Sequence, residues 1–372
     1  MAGAISIPAM NRLPRLLLAT ALIVAGCGSS PGSVAPASPS AGGSLSPASP
    51  TAGGSVAPAP PSVGGSLTVY SGRSEELVGP LIERFEEASG VAVEVNYAST
   101  TDLAATLLEE GSASPADVFF SQDAGALGAL AAEGLLTALP APTLDLVDER
   151  FRSPDGHWVG VSGRARVAAY DSRVLEESDL PESILGFAEP AWNGKIGWAP
   201  SNASLQSFVT ALRVLEGEDA ARAWLEGVQA NAPRVYEGNS QALEGVAAGE
   251  VEVALINHYY LLQQLAEQGE NYPARNHFFP GGDPGALVNV AGAGVLTTSK
   301  NPTAAQAFVD FLLAEESQGY FADETYEYPL IDGVPADERL TPLADIASPE
   351  IDLSDLADLE GTLELMQEAG VL

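Results

Sequence analysis

The stretch SLTVYSGRSEELVGPLIERFEEASGVAVEVNY, residues 66–97, limits the fold more than any other part of this chain. LTVY reads as a short strand. From Glu75 to Ala88, Leu77, Leu81, Ile82 and Phe85 fall on one helical face until Gly90 stops the run, and VAVEVNY is a second strand. Strand, helix and strand in this order place the two strands parallel, joined by a right-handed crossover. The alternation recurs in TDLAATLLEEG, ADVFFS and DAGALGALAAEGLL. WVGVSGRARVAAYD is a long apolar strand interrupted by Gly163 and two arginines. KIGWAPS, VEVALIN and GALVNVAGAGVLTTS read as strands, and ASLQSFVTALRVLEG, DAARAWLEGVQ and YYLLQQLAEQG as helical runs. PTAAQAFVDFLLAEESQGYFA reads as one helix with Pro302 at its start. The class is α/β, with more units than one compact sheet holds, so two lobes are expected.

The N-terminal stretch is of another kind. Arg12 and Arg15 precede LLLATALIV, which is too short to span a bilayer and predicts a secretory signal over residues 1–26. It ends in VAGCG, which resembles a bacterial lipobox, with Cys27 as the lipidated first residue of the mature chain. Cys27 is the only cysteine, so no internal disulfide can form. Residues 27–66 are rich in Pro, Gly, Ser and Ala, carry no charge and show no apolar period, and predict a tether. The folded part therefore starts at Leu67. Sixteen Lys+Arg against 50 Asp+Glu give a net charge of −34, which repels nucleic acid and anionic membranes.

In open parallel sheets ligands sit beyond the carboxyl ends of strands, where helix-start amides point outward. Four loops end strands here: YSGRSE, FFSQDA, WAPSNAS and LINHYY. Ser201 or Asn202 can cap the helix that follows WAPSNAS, and the small residues around them leave its first amides open to an anion. Asn239 and Asn257 make similar offers. Tyr259 and Tyr260 form a doublet at a strand's end. Either both rings pack in the core, or a hard cation such as ferric ion lowers their proton affinity and takes two phenolates as ligands.

The motifs LTVYSGR, SPADVFFSQ, VSGRARVAAYD, KIGWAPSNAS, VALINHYY, DPGALVNVAGAGVL and EYPL, in that order, resemble the ferric-ion-binding proteins of bacterial ABC importers, the periplasmic FbpA-type family. The resemblance runs from Leu67 to about Leu372. It implies a two-lobed type II periplasmic-binding-protein fold with the ligand cleft between lobes. Lobe 1 would hold residues 67–163 plus about 286–335, and lobe 2 residues 164–285 plus about 336–372. It implies Tyr259 and Tyr260 as metal ligands. A synergistic phosphate or carbonate would lie on Ser201, Asn202, Ala203, Asn239 and Asn257. The chain departs from the family's pattern at Ser74 and Gln122, where the classical branch has a histidine and a glutamate. Neutral side chains there supply no formal charge to ferric ion. Gln122, Asp123 and Ser74 are the auxiliary candidates, and Arg164 and Arg166 the candidates for the anion or the hinge.

Together with the lipobox-like segment at Cys27, the resemblance thus implies an extracytoplasmic, lipid-anchored, monomeric receptor that delivers ferric ion to an ABC permease and its ATPase subunits. An alternative keeps the fold and binds an organic or phosphorylated anion, phosphonate or thiamine-like, without metal. No GxSxG elbow occurs from Leu67 onward, and the three histidines lack metal-ligand spacing, so the chain reads as a binding protein and not an enzyme.

Overall fold

A computed structural model describes residues 65–372. The expected signal segment, Cys27 and the tether as far as residue 64 lie outside the described residues. The strands are β1 (Ser66–Ser71), β2 (Ala92–Tyr97), β3 (Val118–Ser121), β4 (Val159–Asp171), β5 (Ile196–Trp198), β6 (Arg234–Val235), β7 (Val253–Asn257), β8 (Ala274–His277), β9 (Val288–Val295) and β10 (Tyr328–Pro329). The helices are α1 (Glu75–Ser89), α2 (Thr100–Glu110), α3 (Ala124–Ala132), α4 (Ala141–Leu144), α5 (Ala203–Glu216), α6 (Glu218–Ala230), α7 (Asn239–Ala247), α8 (Tyr259–Gln268), α9 (Pro302–Leu312), α10 (Glu315–Asp323) and α11 (Leu359–Glu368).

β1 pairs in parallel with β2 and with β3, as the strand–helix–strand pattern requires. β9 then runs antiparallel to β3, and β4 antiparallel to β9. On the other side β4 runs antiparallel to β7 and β8, while β5 pairs in parallel with β7 and β6. β4 changes partners part-way along. Up to Ala165 it faces β9, and from Arg166, opposite Asn257, it faces β7. All 13 of its residues are buried, so the one strand common to both halves reads as a continuous apolar run.

α1 buries Val78, Leu81, Ile82 and Phe85, whereas Leu77 of the expected stripe is only partly buried, and each buried side chain contributes about 1.5–3 kcal/mol by leaving water. Gly90 ends it at φ 71°, its amide donating to Glu86 O. In α3 the glycines serve close approach instead. A Cβ on Gly125 would stand 2.5 Å from Leu356 O, and one on Gly128 3.1 Å from Ala357 Cβ. A single-turn helix at Leu353–Ala357 packs on that face and on α5, and α11 packs on α5 as well.

The expected helix over residues 302–322 is two helices. Ala314 between them is extended, with ψ 151°, although Ala, Glu and Ser around it all tolerate helix. Tertiary bonds fix the break. The Gln318 amide, fully buried, donates to Leu312 O at 2.9 Å and to Val161 O at 2.7 Å, and its oxygen accepts from Leu330 N at 2.7 Å. No helix among the described residues is long and apolar enough to cross a membrane.

Candidate metal centre

Each of the four loops named above leaves the carboxyl end of a strand: β1 leads to α1, β3 to α3, β5 to α5 and β7 to α8. They converge on a cavity of about 410 Å³. Gly72, Arg73, Ser74 and Glu75 come from the first loop, Gln122 from the second, Asn202 from the third, and Tyr259 and Tyr260 from the fourth. Tyr97 and Ala98, at the end of β2, complete this part of the wall.

Tyr259 and Tyr260 occupy the first two positions of α8, and their rings stack 4.2 Å apart at 29°. Tyr259 is almost wholly buried and Tyr260 partly so. Burial, then the neighbouring Tyr260, hold the Tyr259 phenol well above its ordinary pKa, while Arg73 and Arg164 pull it down. The phenol is therefore neutral without a cation. A highly charged cation on the cavity side adds to the two guanidiniums and favours the phenolate.

The polar groups behind the tyrosines are buried. Arg73 donates to Glu327 Oε1 at 2.7 Å, and Glu327 Oε2 accepts from Ser162 Oγ at 2.8 Å. Arg164 is 1% exposed, and none of its three guanidinium nitrogens has a hydrogen-bond partner among the described residues. Burial, then the like charge of Arg73, lower its pKa. Arg166 donates to Leu255 O at 2.9 Å and lies 5.1 Å from the Phe208 ring centroid. Burial pulls its pKa down to about 9.

Of the anion-site candidates, Asn202 alone lines the cavity. Its Oδ1 accepts from Ser204 N at 3.0 Å and Ser204 Oγ at 2.7 Å, a helix cap. Asn239, first in α7, donates to Ser204 Oγ at 3.2 Å, and its own buried oxygen has no partner among the described residues. Asn257 ends β7, buried opposite Arg166. Ser201 is exposed and Ala203 buried, and neither lines the cavity.

Among the auxiliary candidates, Ser74 and Gln122 line the cavity and Asp123 does not. Asp123 caps α3, accepting from Ala126 N at 3.2 Å, and takes the Ser207 hydroxyl at 2.8 Å. Burial raises its pKa. His258, in the LINHYY loop just before the two tyrosines, is wholly buried. Its Nδ1 accepts from Ala165 N at 3.1 Å, which leaves Nε2 to donate to Tyr326 O at 2.9 Å. Sequence reasoning passed over Arg73, Glu75, Tyr97 and Glu327. Arg73 and Glu327 stand within motifs quoted above, YSGR and EYPL.

Residues 113–349 match the family described as bacterial extracellular solute-binding protein. The major ferric iron-binding protein of Neisseria meningitidis serogroup B is 38% identical over 310 residues, covering 82% of this chain and 93% of that protein. The chain belongs to the bacterial extracellular solute-binding proteins. The crystal structure of iron-bound HitA from Pseudomonas aeruginosa superposes on it with a TM-score of 0.78 at 37% identity, covering 82% of this chain and 99% of HitA. A Trichodesmium protein, IdiA or FutA, in complex with iron and citrate superposes with a TM-score of 0.71 at 28% identity, over 82% of this chain and all of that one. The two sheet halves joined at β4 are thus those of a two-lobed periplasmic binding protein. In this solute-binding protein the cavity with Tyr259 and Tyr260 occupies the carboxyl ends of strands from both halves.

Proposed function

We propose that this solute-binding protein captures ferric ion outside the cytoplasm and delivers it to an ABC permease. The observation that carries the reading is the stacked pair of phenols on the wall of a cavity formed by four helix-start loops. Phenolate oxygens suit a hard trivalent ion better than any neutral solute. The ferric iron-binding relatives support it. A synergistic anion, phosphate or carbonate, fits the Asn202 and Asn239 helix starts, where amides favour negative charge. Citrate in one related structure is a third candidate for that role.

Lobe 1 is residues 67–163 with about 286–335, and lobe 2 is residues 164–285 with about 336–372. What supports this division is the partner change of β4 between Ala165 and Arg166. Closure of the lobes buries the ion, and the permease releases it by favouring the open form, a shift of populations. Lipid on Cys27 and the tether keep the receptor on the membrane.

Titrating the iron-free protein with ferric citrate plus phosphate or carbonate should raise a visible phenolate-to-iron band. Tyr259→Phe with Tyr260→Phe should abolish it. A native protein without the band, stabilised instead by phosphonates or thiamine-like solutes in a thermal-shift screen, would establish the organic-anion reading.

A further inference from the structure

Ser74 and Gln122 bring no charge to the cavity, yet among the described residues that line it there is one carboxylate, Glu75. It opens α1 directly after Ser74, and its side chain is exposed. Tyr97, on the same wall at the end of β2, stands close enough for the Glu75 charge to act on its phenol, second only to the effect of burial.

On α1, Gly79 stands beside both residues of this pair. The helix interior carries Gly79 and Pro80, the two residue types that least favour a helix. A Cβ on Gly79 would meet Glu75 Cγ at 3.4 Å and the Tyr97 hydroxyl at 3.9 Å. A side chain larger than methyl at 79 would enter the space the two share. Departures from local rules of this kind concentrate at functional sites.

We propose that Glu75 is the carboxylate ligand of the ferric site, with Tyr97 as the residue that positions it. This rests on the ferric reading above. Two phenolates and one carboxylate supply three negative charges to a trivalent ion, all from hard oxygen donors. The protein alone then balances the metal, and the synergistic anion completes coordination without having to neutralise charge.

The test follows the phenolate-to-iron band in the full secreted chain while citrate strips the iron, in native protein, Glu75→Gln and Glu76→Gln. Glu76 shares the first turn of α1 but does not line the cavity. Glu75→Gln should keep the band, lose iron at a citrate concentration at least about tenfold lower, and depend more strongly on added phosphate or carbonate. Glu76→Gln should match native. Tyr97→Phe should fall between the two, and its loss should vanish in the Glu75→Gln background, which a merely structural role would not produce. If native shows the band and Glu75→Gln holds iron as well as native, Glu75 is not a ligand and the two-phenolate site stands. If native shows no band, both readings fail together.

Discussion

His258 shows how one side chain ties the site to the crossing strand. Its ring bonds β4 at Ala165 N and the segment before β10 at Tyr326 O, and it lies edge-on to Tyr259. Burial lowers its pKa to about 4. Unfolded, the imidazole takes its proton near pH 6.5, so between 6.5 and 4 the unfolded chain binds more protons and folding stability drops as pH falls. In the iron-free protein the stability advantage of native over His258→Gln should therefore shrink by about 3 kcal/mol between pH 7 and pH 4. Urea denaturation at several pH values measures it, and a constant gap would mean the ring takes its proton in the fold as readily as in the unfolded chain. Residues of the site were unequally legible. Tyr259 and Tyr260 stood out as an aromatic doublet at a strand end, and Ser74 and Gln122 as departures from a family pattern. Glu75 and Tyr97 did not. One is a first-turn acid like many others, the other a half-buried strand residue, and only folding sets them side by side.

At the level of elements, local periodicity carried far. The strand–helix alternation gave the parallel pairing of β1 and β2, and the strand-end loops gave the position of the cavity, while the order β2–β1–β3 came only with the fold. What it missed was imposed from outside the segment. The break between α9 and α10 sits in good helix-forming sequence and is held by Gln318 through bonds to Val161, Leu312 and Leu330. Gln318→Leu leaves three backbone groups buried without partners, at about 1–3 kcal/mol each. A loss of several kcal/mol in urea denaturation is expected, and a loss under about 1 kcal/mol would mean the break is set elsewhere. α5 has a second task besides its cap. Gln206 accepts from Thr101 Oγ1 at 2.9 Å and Ser207 donates to Asp123 at 2.8 Å, so the helix that carries Asn202 is bonded to the starts of α2 and α3.

For the whole molecule, the expected motion is the closing of two lobes about β4. Small-angle scattering of the secreted chain should show a smaller radius of gyration with ferric ion and phosphate than without. The Tyr259→Phe, Tyr260→Phe protein should show no such change, and equal values for loaded and empty native protein would remove closure from the mechanism. The position of β4 adds a consequence for how that motion is absorbed. Hinges are often pictured as the loosest part of a protein, but here the expected pivot is a strand in which every residue is buried and which keeps ladder partners along nearly its whole length, β9 and then β7 and β8. Its amides should be among the last to exchange with deuterium, on the timescale of global unfolding. Lobe movement would then be a twist shared along an intact ribbon, and the empty receptor could wait open without exposing its core.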